Sequence, residues 1–96
     1  LEAIALTGVP MSWLDPLMRR AMQESSGNPH AINNWDSNAA AGHPSMGLMQ
    51  TIRSTFEAHK LPGHNDIWNP VDNMCAAIRY IIGRYGSVFN LPSGGY

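Results

Sequence analysis

With 96 residues the chain has room for one domain and a small core. Charged residues make up 14% and the net charge is −1, a balance that gives no electrostatic footprint for nucleic acid or an anionic membrane surface. No apolar run approaches the roughly 20 residues of a spanning helix, and the lone cysteine, Cys75, excludes an internal disulfide. The chain begins at Leu1 and reads as a single domain, 1–96, cut from a larger protein. Asn90-Leu91-Pro92-Ser93-Gly94-Gly95-Tyr96 reads as a tail or the start of a linker.

Leu1 to Leu6 fit the last turns of a helix closed by Gly8 at C′. The next helix starts near Ser12, with Asp15 completing a capping box, or at Asp15, which places Pro16 at N1. Leu14, Leu17, Met18, Ala21 and Met22 recur at the helical period and predict its buried stripe. Ser25-Ser26-Gly27 ends it, and Asn28-Pro29 forbids continuation. Residues 27–47 are rich in turn formers, among them Asn33, Asn34, Asp36, Asn38, Gly42 and Pro44. So long a loop in a small domain is usually functional, and it has room for a short β-hairpin. A short helix from Thr51 or Ser54 to His59 turns Ile52 and Phe56 inward and breaks at Pro62-Gly63. The last helix is the clearest: Asn69 is its N-cap, Pro70 its N1 residue, and Asp72 complements the dipole in its first turn. Met74, Ala77, Ile78, Ile81, Ile82 and Tyr85 then trace its stripe, and Gly86 ends it. The expected fold is mostly α, a small helical domain with a long loop or short hairpin between core helices.

Glu24 stands out within this pattern. It lies seven residues past Leu17, about 20° away on a helix and so on the buried stripe. A carboxylate there is costly unless it has a partner or a task. Desolvation favours its neutral form, and a carboxylic acid kept protonated near neutrality can act as a general acid. The plainer alternative is that Glu24 caps the helix or pairs with an arginine such as Arg20.

Three segments resemble the signatures of soluble lytic transglycosylase domains: Glu24-Ser25-Ser26-Gly27-Asn28-Pro29, Ser45-Met46-Gly47-Leu48-Met49-Gln50, and Ala77-Ile78-Arg79-Tyr80-Ile81. Each alone is weak, but three in order over nearly the whole chain are specific. Asn33-Asn34-Trp35-Asp36-Ser37-Asn38-Ala39 and Arg84-Tyr85-Gly86-Ser87 are most similar to the version found in tail tape-measure proteins of phages that infect actinobacteria. The resemblance implies an α+β lysozyme-like fold around a glycan cleft, with peptidoglycan as substrate and no cofactor. It also implies action from a virion tail on the bacterial wall, or, failing that, by a secreted or wall-associated bacterial enzyme. An isolated domain of this kind is expected to be monomeric and to need no membrane insertion.

The resemblance makes Glu24 the acid/base. It protonates the leaving oxygen and then draws a proton from the sugar's own 6-hydroxyl, which closes a 1,6-anhydro ring. The substrate's N-acetyl group can replace a second carboxylate. A goose-type hydrolase that uses water is the alternative outcome, with Asp36 assisting; as a lone acid among asparagines Asp36 reads more simply as an Asx-turn residue. A non-catalytic glycan-binding segment is the alternative outside enzymes. Ser45 and Gln50 are assigned to the substrate, Gln50 offering both a donor and an acceptor, and Gly47 allows close backbone approach to a ligand. Tyr80, about 120° from Met74 on the last helix, is assigned to Glu24 or the sugar, with an ordinary core tyrosine as the alternative. Trp35 and Trp68 suit either sugar stacking or core anchoring. His30, His43, His59 and His64 lack zinc-site spacing, so no metal is expected.

Overall fold

The computed structural model describes residues 1–33 and 42–91. Helix α1 (Glu2–Thr7) closes at Gly8, whose φ of 76° is the left-handed cap expected there and whose N–H reaches the carbonyl of Ile4. A 3₁₀ turn (Met11–Trp13) runs directly into α2 (Leu14–Ser25). No side-chain cap forms at this start, so neither alternative for it holds. The 3₁₀ turn supplies the leading carbonyl instead, with the Leu14 N–H donating to Met11. Pro16 becomes the third helical residue, still within the first turn, where its missing N–H removes no helical bond.

The buried side of α2 differs from the apolar pattern. Leu17, Arg20, Ala21 and Ser25 are inside, while Met18 and Met22 face solvent. Apolar residues occupy two neighbouring arcs of this helix, but only one of them meets the core. The covered arc is set by what packs against it, and periodicity alone does not choose between two arcs.

The long loop holds a minimal hairpin. β1 (Ile32–Asn33) and β2 (Ser45–Met46) pair antiparallel, with Ile32 opposite Met46 and Asn33 opposite Ser45. The chain then reverses through residues 47–50, and the backbones of Met46 and Thr51 bond each other in both directions at 2.9 and 3.0 Å. Helix α3 (Arg53–His59) follows, with Phe56 fully buried.

Helix α4 (Pro70–Tyr85) is the centre of the molecule. Its cap is the one expected: the Asn69 carboxamide oxygen accepts from the backbone N–H groups of Val71 and Asp72. Every residue from Cys75 to Ile78 is buried, so neighbours surround this stretch. One core cluster joins it to Ile4, Trp13, Leu17, Ala21 and Met49, and a second joins Ala76 to Phe56 and Ile67. The apolar stripe is narrower than expected, with Ile81 buried and Tyr85 half-buried but Ile82 exposed. Gly86 closes the helix at a φ of 82°, and a second 3₁₀ turn (Val88–Asn90) folds back on α2. The architecture is the mostly α one expected, with a two-stranded antiparallel sheet between core helices.

Candidate active site

Glu24 is the penultimate residue of α2. Ser26 and Gly27 both take left-handed backbone conformations and turn the chain sharply away just beyond it. The Ser25 hydroxyl lies 2.7 Å from the carbonyl of Leu48 and 3.0 Å from that of Ala21. It has one proton to give, and the shorter contact ties the acid-bearing end of α2 to the turn at 47–50. The two motifs, separated in the sequence by residues 30–44, therefore meet through this bond.

The Glu24 side chain is 23% exposed, accessible yet largely shielded. Burial pushes its carboxyl above the ordinary value of 4.5, and the guanidinium of Arg20 opposes that push. Arg20 Nη1 stands 3.8 Å from Glu24 Oε1, and the arginine side chain is only 8% exposed. The pairing and the raised pKa coexist, so a partner for Glu24 does not remove its capacity as an acid. A half-shielded carboxyl that holds its proton to higher pH is suited to protonating a leaving oxygen.

The turn at 47–50 owes its shape to a residue that the sequence gave no reason to single out. Asn73, fully buried on α4, accepts from the Met49 N–H at 2.8 Å. Its amide nitrogen faces the carbonyls of Ile67 at 2.9 Å and Met46 at 3.2 Å and the Thr51 hydroxyl at 3.3 Å. One carboxamide thus clamps the turn and the loop before α4 onto the central helix. Gly47 serves this packing: a side chain there would collide with Asn73 and with the Ile67 carbonyl. The close approach that its missing side chain allows here is to the protein's own buried amide. A buried carboxamide is expensive unless its groups find partners, and here both the oxygen and the nitrogen do.

Gln50 adopts a φ of 53°, uncommon for a residue with a side chain. That backbone lets its Nε2 donate to the carbonyls of Gly47 at 2.9 Å and Ala31 at 3.0 Å. The donor half of the amide is thus engaged within the fold, and its oxygen is the half that suits a ligand. Ser45 sits half-buried in β2 beside Asn33. Tyr80 lies one turn beyond Ala76, on the face of α4 that meets α3. Its ring stands edge-on to His59 at 5.3 Å and to Tyr85 at 6.3 Å. Asp36 and Trp35 fall outside the described residues.

Trp68 is half-buried against the Phe56 cluster, with its ring 6.3 Å from that of His30. His59 Nδ1 contacts the Thr55 carbonyl at 2.9 Å, and His64 pairs with Asp72 at 2.8 Å. Among the described residues, no three His, Cys, Asp or Glu side chains come together in a way that could hold a metal ion.

Residues 5–92 match the model of the transglycosylase SLT domain, and the chain belongs to that family. It is also similar to a protein of Bacillus subtilis (strain 168) described as Uncharacterized protein YqbO, at 65% identity over 92 residues. That match covers 96% of this chain and 6% of the relative, so the chain spans a small part of the protein it resembles. No solved structure matches the chain.

Proposed function

We propose that the domain is a peptidoglycan lytic transglycosylase that cleaves the β-1,4 bond between N-acetylmuramic acid and N-acetylglucosamine, with Glu24 as its acid/base. The observation that carries this is the setting of Glu24 at the end of α2, shielded and inclined to hold a proton. Among the described residues, Arg20 is the charge that acts on it, and no second carboxylate does. A lone carboxyl can complete the reaction if the substrate supplies the rest. Glu24 gives its proton to the leaving oxygen as the C1–O bond breaks. The 6-hydroxyl of the same sugar then attacks C1 and returns a proton to Glu24. Atoms balance without water, and the new end is a 1,6-anhydro sugar. Gln50 and Ser45, on the turn and strand bonded to the end of α2, and Tyr80 on α4 are the groups we assign to the sugar and to orienting the acid.

The test is a digest of purified peptidoglycan with the domain, followed by mass spectrometry of the fragments. Anhydro ends are expected, lighter by one water than hydrolytic ends. Glu24→Gln should lower the rate by at least about a hundredfold, the low end for general acid catalysis. Hydrolytic ends, together with an inactive but folded Asp36→Asn, would favour the water-using goose-type reaction instead. A folded wild-type domain that binds glycan and cuts none would leave a binding segment. For context we propose a phage tail protein that opens the wall locally during DNA entry. The tape-measure-like motifs support this, and labelled antibody on virions against cell-wall fractions separates it from a host wall enzyme.

A further inference from the structure

We propose that His30 and Trp68 form a stacking platform for one sugar ring of the glycan, a subsite away from the bond that Glu24 cleaves, and that the ring it takes is N-acetylglucosamine. This rests on peptidoglycan being the substrate. The two aromatic rings lie 6.3 Å apart, centre to centre, and are tilted by 31°. Holding a sugar between two ring faces needs about 7–8 Å, twice a carbon–carbon contact. The pair is too close for a sandwich and offers an open surface instead. A cavity of about 260 Å³ opens at the pair, with His30 and Trp68 as its lining among the described residues. That is just below the roughly 300 Å³ at which clefts for drug-sized ligands begin, so it has room for about one pyranose unit. Trp68 packs on the Phe56 cluster yet stays half-buried, while Phe56 and Ile67 beside it are fully buried. Trp13, which anchors the other cluster, is buried. The hydrogen bonds of both platform residues run through their backbone N–H groups, His30 to Asn28 Oδ1 at 2.9 Å and Trp68 to Asp66 Oδ1 at 3.0 Å. Among the described residues their ring nitrogens make none, which leaves an indole N–H and an imidazole to meet sugar hydroxyls.

Both rings are tied to the turn that carries Gln50. The carbonyl of Ala31, next to His30, accepts from the Gly47 N–H at 2.8 Å and from Gln50 Nε2 at 3.0 Å. The carbonyl of Ile67, next to Trp68, accepts from Asn73, which also holds Met49. Asp72 fixes the same loop by accepting from the Asp66 N–H at 3.1 Å and pairing with His64 at 2.8 Å. The same turn is bonded through Leu48 to Ser25, the neighbour of Glu24. From Glu24 to His30 the chain passes two tight turns, in which the Asn28 N–H donates to Ser25 and the Ala31 N–H to Asn28. Six residues fully extended span about 20 Å, so the backbone of His30 lies closer to the acid than that, within the span of a short oligosaccharide. The platform is therefore continuous with the site of Glu24 and is held in shape before a ligand arrives, which lowers the ordering cost of binding. The choice of sugar follows from charge and size. N-acetylmuramic acid carries the peptide stem and its carboxylates. A one-ring platform with no lysine or arginine among its described lining suits the bare N-acetylglucosamine.

The test is a titration with chitotetraose, an uncharged oligomer of N-acetylglucosamine, followed by NMR of the indole N–H signals. Trp68→Leu identifies the Trp68 signal by removing it and keeps an apolar side chain on the Phe56 cluster. Chitotetraose should move that signal in the wild type. His30→Ala and Trp68→Leu should each weaken binding roughly two- to tenfold, the size of one aromatic contact. In digests of peptidoglycan both should raise KM with kcat little changed, because the platform holds the sugar equally before and during the reaction. With a peptide-free glycan fragment, magnetisation from the Trp68 indole should pass to N-acetylglucosamine protons; passage to the lactyl group of muramic acid overturns the choice of sugar. Should Trp68→Leu fail to fold, Trp68→Phe assigns the signal and His30→Ala carries the binding expectation. An unmoved Trp68 signal, or unchanged affinity in folded variants, overturns the platform. The titration needs no catalysis. A Glu24→Gln protein that still cleaves would defeat the acid/base assignment with the platform intact, and normal cleavage beside an unmoved Trp68 signal would defeat the platform alone.

Discussion

Replacing Asn73 by alanine should destabilise the domain strongly. The substitution deletes the partner of the Met49 N–H and of the Ile67 carbonyl. The Met46 carbonyl keeps its bond from the Thr51 N–H, and the Thr51 hydroxyl can rotate to another acceptor. The Ile67 carbonyl is therefore orphaned and the Met49 N–H loses its Asn73 acceptor, at a cost of about 1–3 kcal/mol for a buried group left unsatisfied. Against the roughly 5–15 kcal/mol that holds a typical domain together, that is a large share. Urea unfolding followed by tryptophan fluorescence measures it. The midpoint should drop while the slope stays constant, because the surface exposed on unfolding is unchanged. Asn73→Asp offers an internal check. It keeps the acceptor for Met49 but turns an oxygen towards the carbonyls of Met46 and Ile67, so only its protonated form fits. That raises the carboxyl's pKa in the fold, so the variant should be stable in acid and lose stability as pH rises through the raised value. A loss below about 1 kcal/mol for Asn73→Ala would refute the clamp.

Three further outcomes are expected. Glu24 has a raised pKa in the fold, so its contribution to stability is fully present below its ordinary value of 4.5 and is lost as pH rises through the folded value. The stability of Glu24→Gln relative to wild type should therefore climb from about pH 4.5 upward, and parallel pH curves for the two proteins would contradict the burial argument. Tyr80→Phe keeps the ring contacts with His59 and Tyr85 and removes only the hydroxyl; a loss of roughly ten- to a hundredfold in rate is expected if that hydroxyl orients the acid, and an unchanged rate assigns Tyr80 to packing. Burial pushes the Cys75 thiol up and shields it, so a thiol reagent should label the native domain only at the rate of unfolding, and rapid labelling would mean that the core opens.

What could be read from the sequence was what is local. The cap of α4 needs only Asn69, Pro70 and the two N–H groups that follow, and it formed as expected. The left-handed closures at Gly8 and Gly86 are equally local. Met18, Met22 and Ile82 went the other way, because an apolar period describes a helix without saying which neighbour it meets. The start of α2 was lost to a 3₁₀ turn that has no side-chain signature. At the candidate site, Glu24 was legible as an acid on a covered arc. Asn73 was not, since its partners on the turn lie 22–27 residues away along the chain. Gly47 was recognised as a close-approach residue, but only the fold names what approaches it.

The bond from Ser25 to Leu48 bears on how this domain can change over time. The contact is made to a backbone carbonyl, which every residue at position 48 would present. Leu48 packs part of its side chain on the core, so exchange for another apolar residue there keeps that contact and leaves the hold on the end of α2 untouched. The serine has no such latitude, because only a short hydroxyl reaches both that carbonyl and its own helix. Within the turn this latitude belongs to position 48 alone, because Gly47 is held by Asn73 and Met49 is buried, so change beside Glu24 is confined to one side chain while the helix end stays where it is.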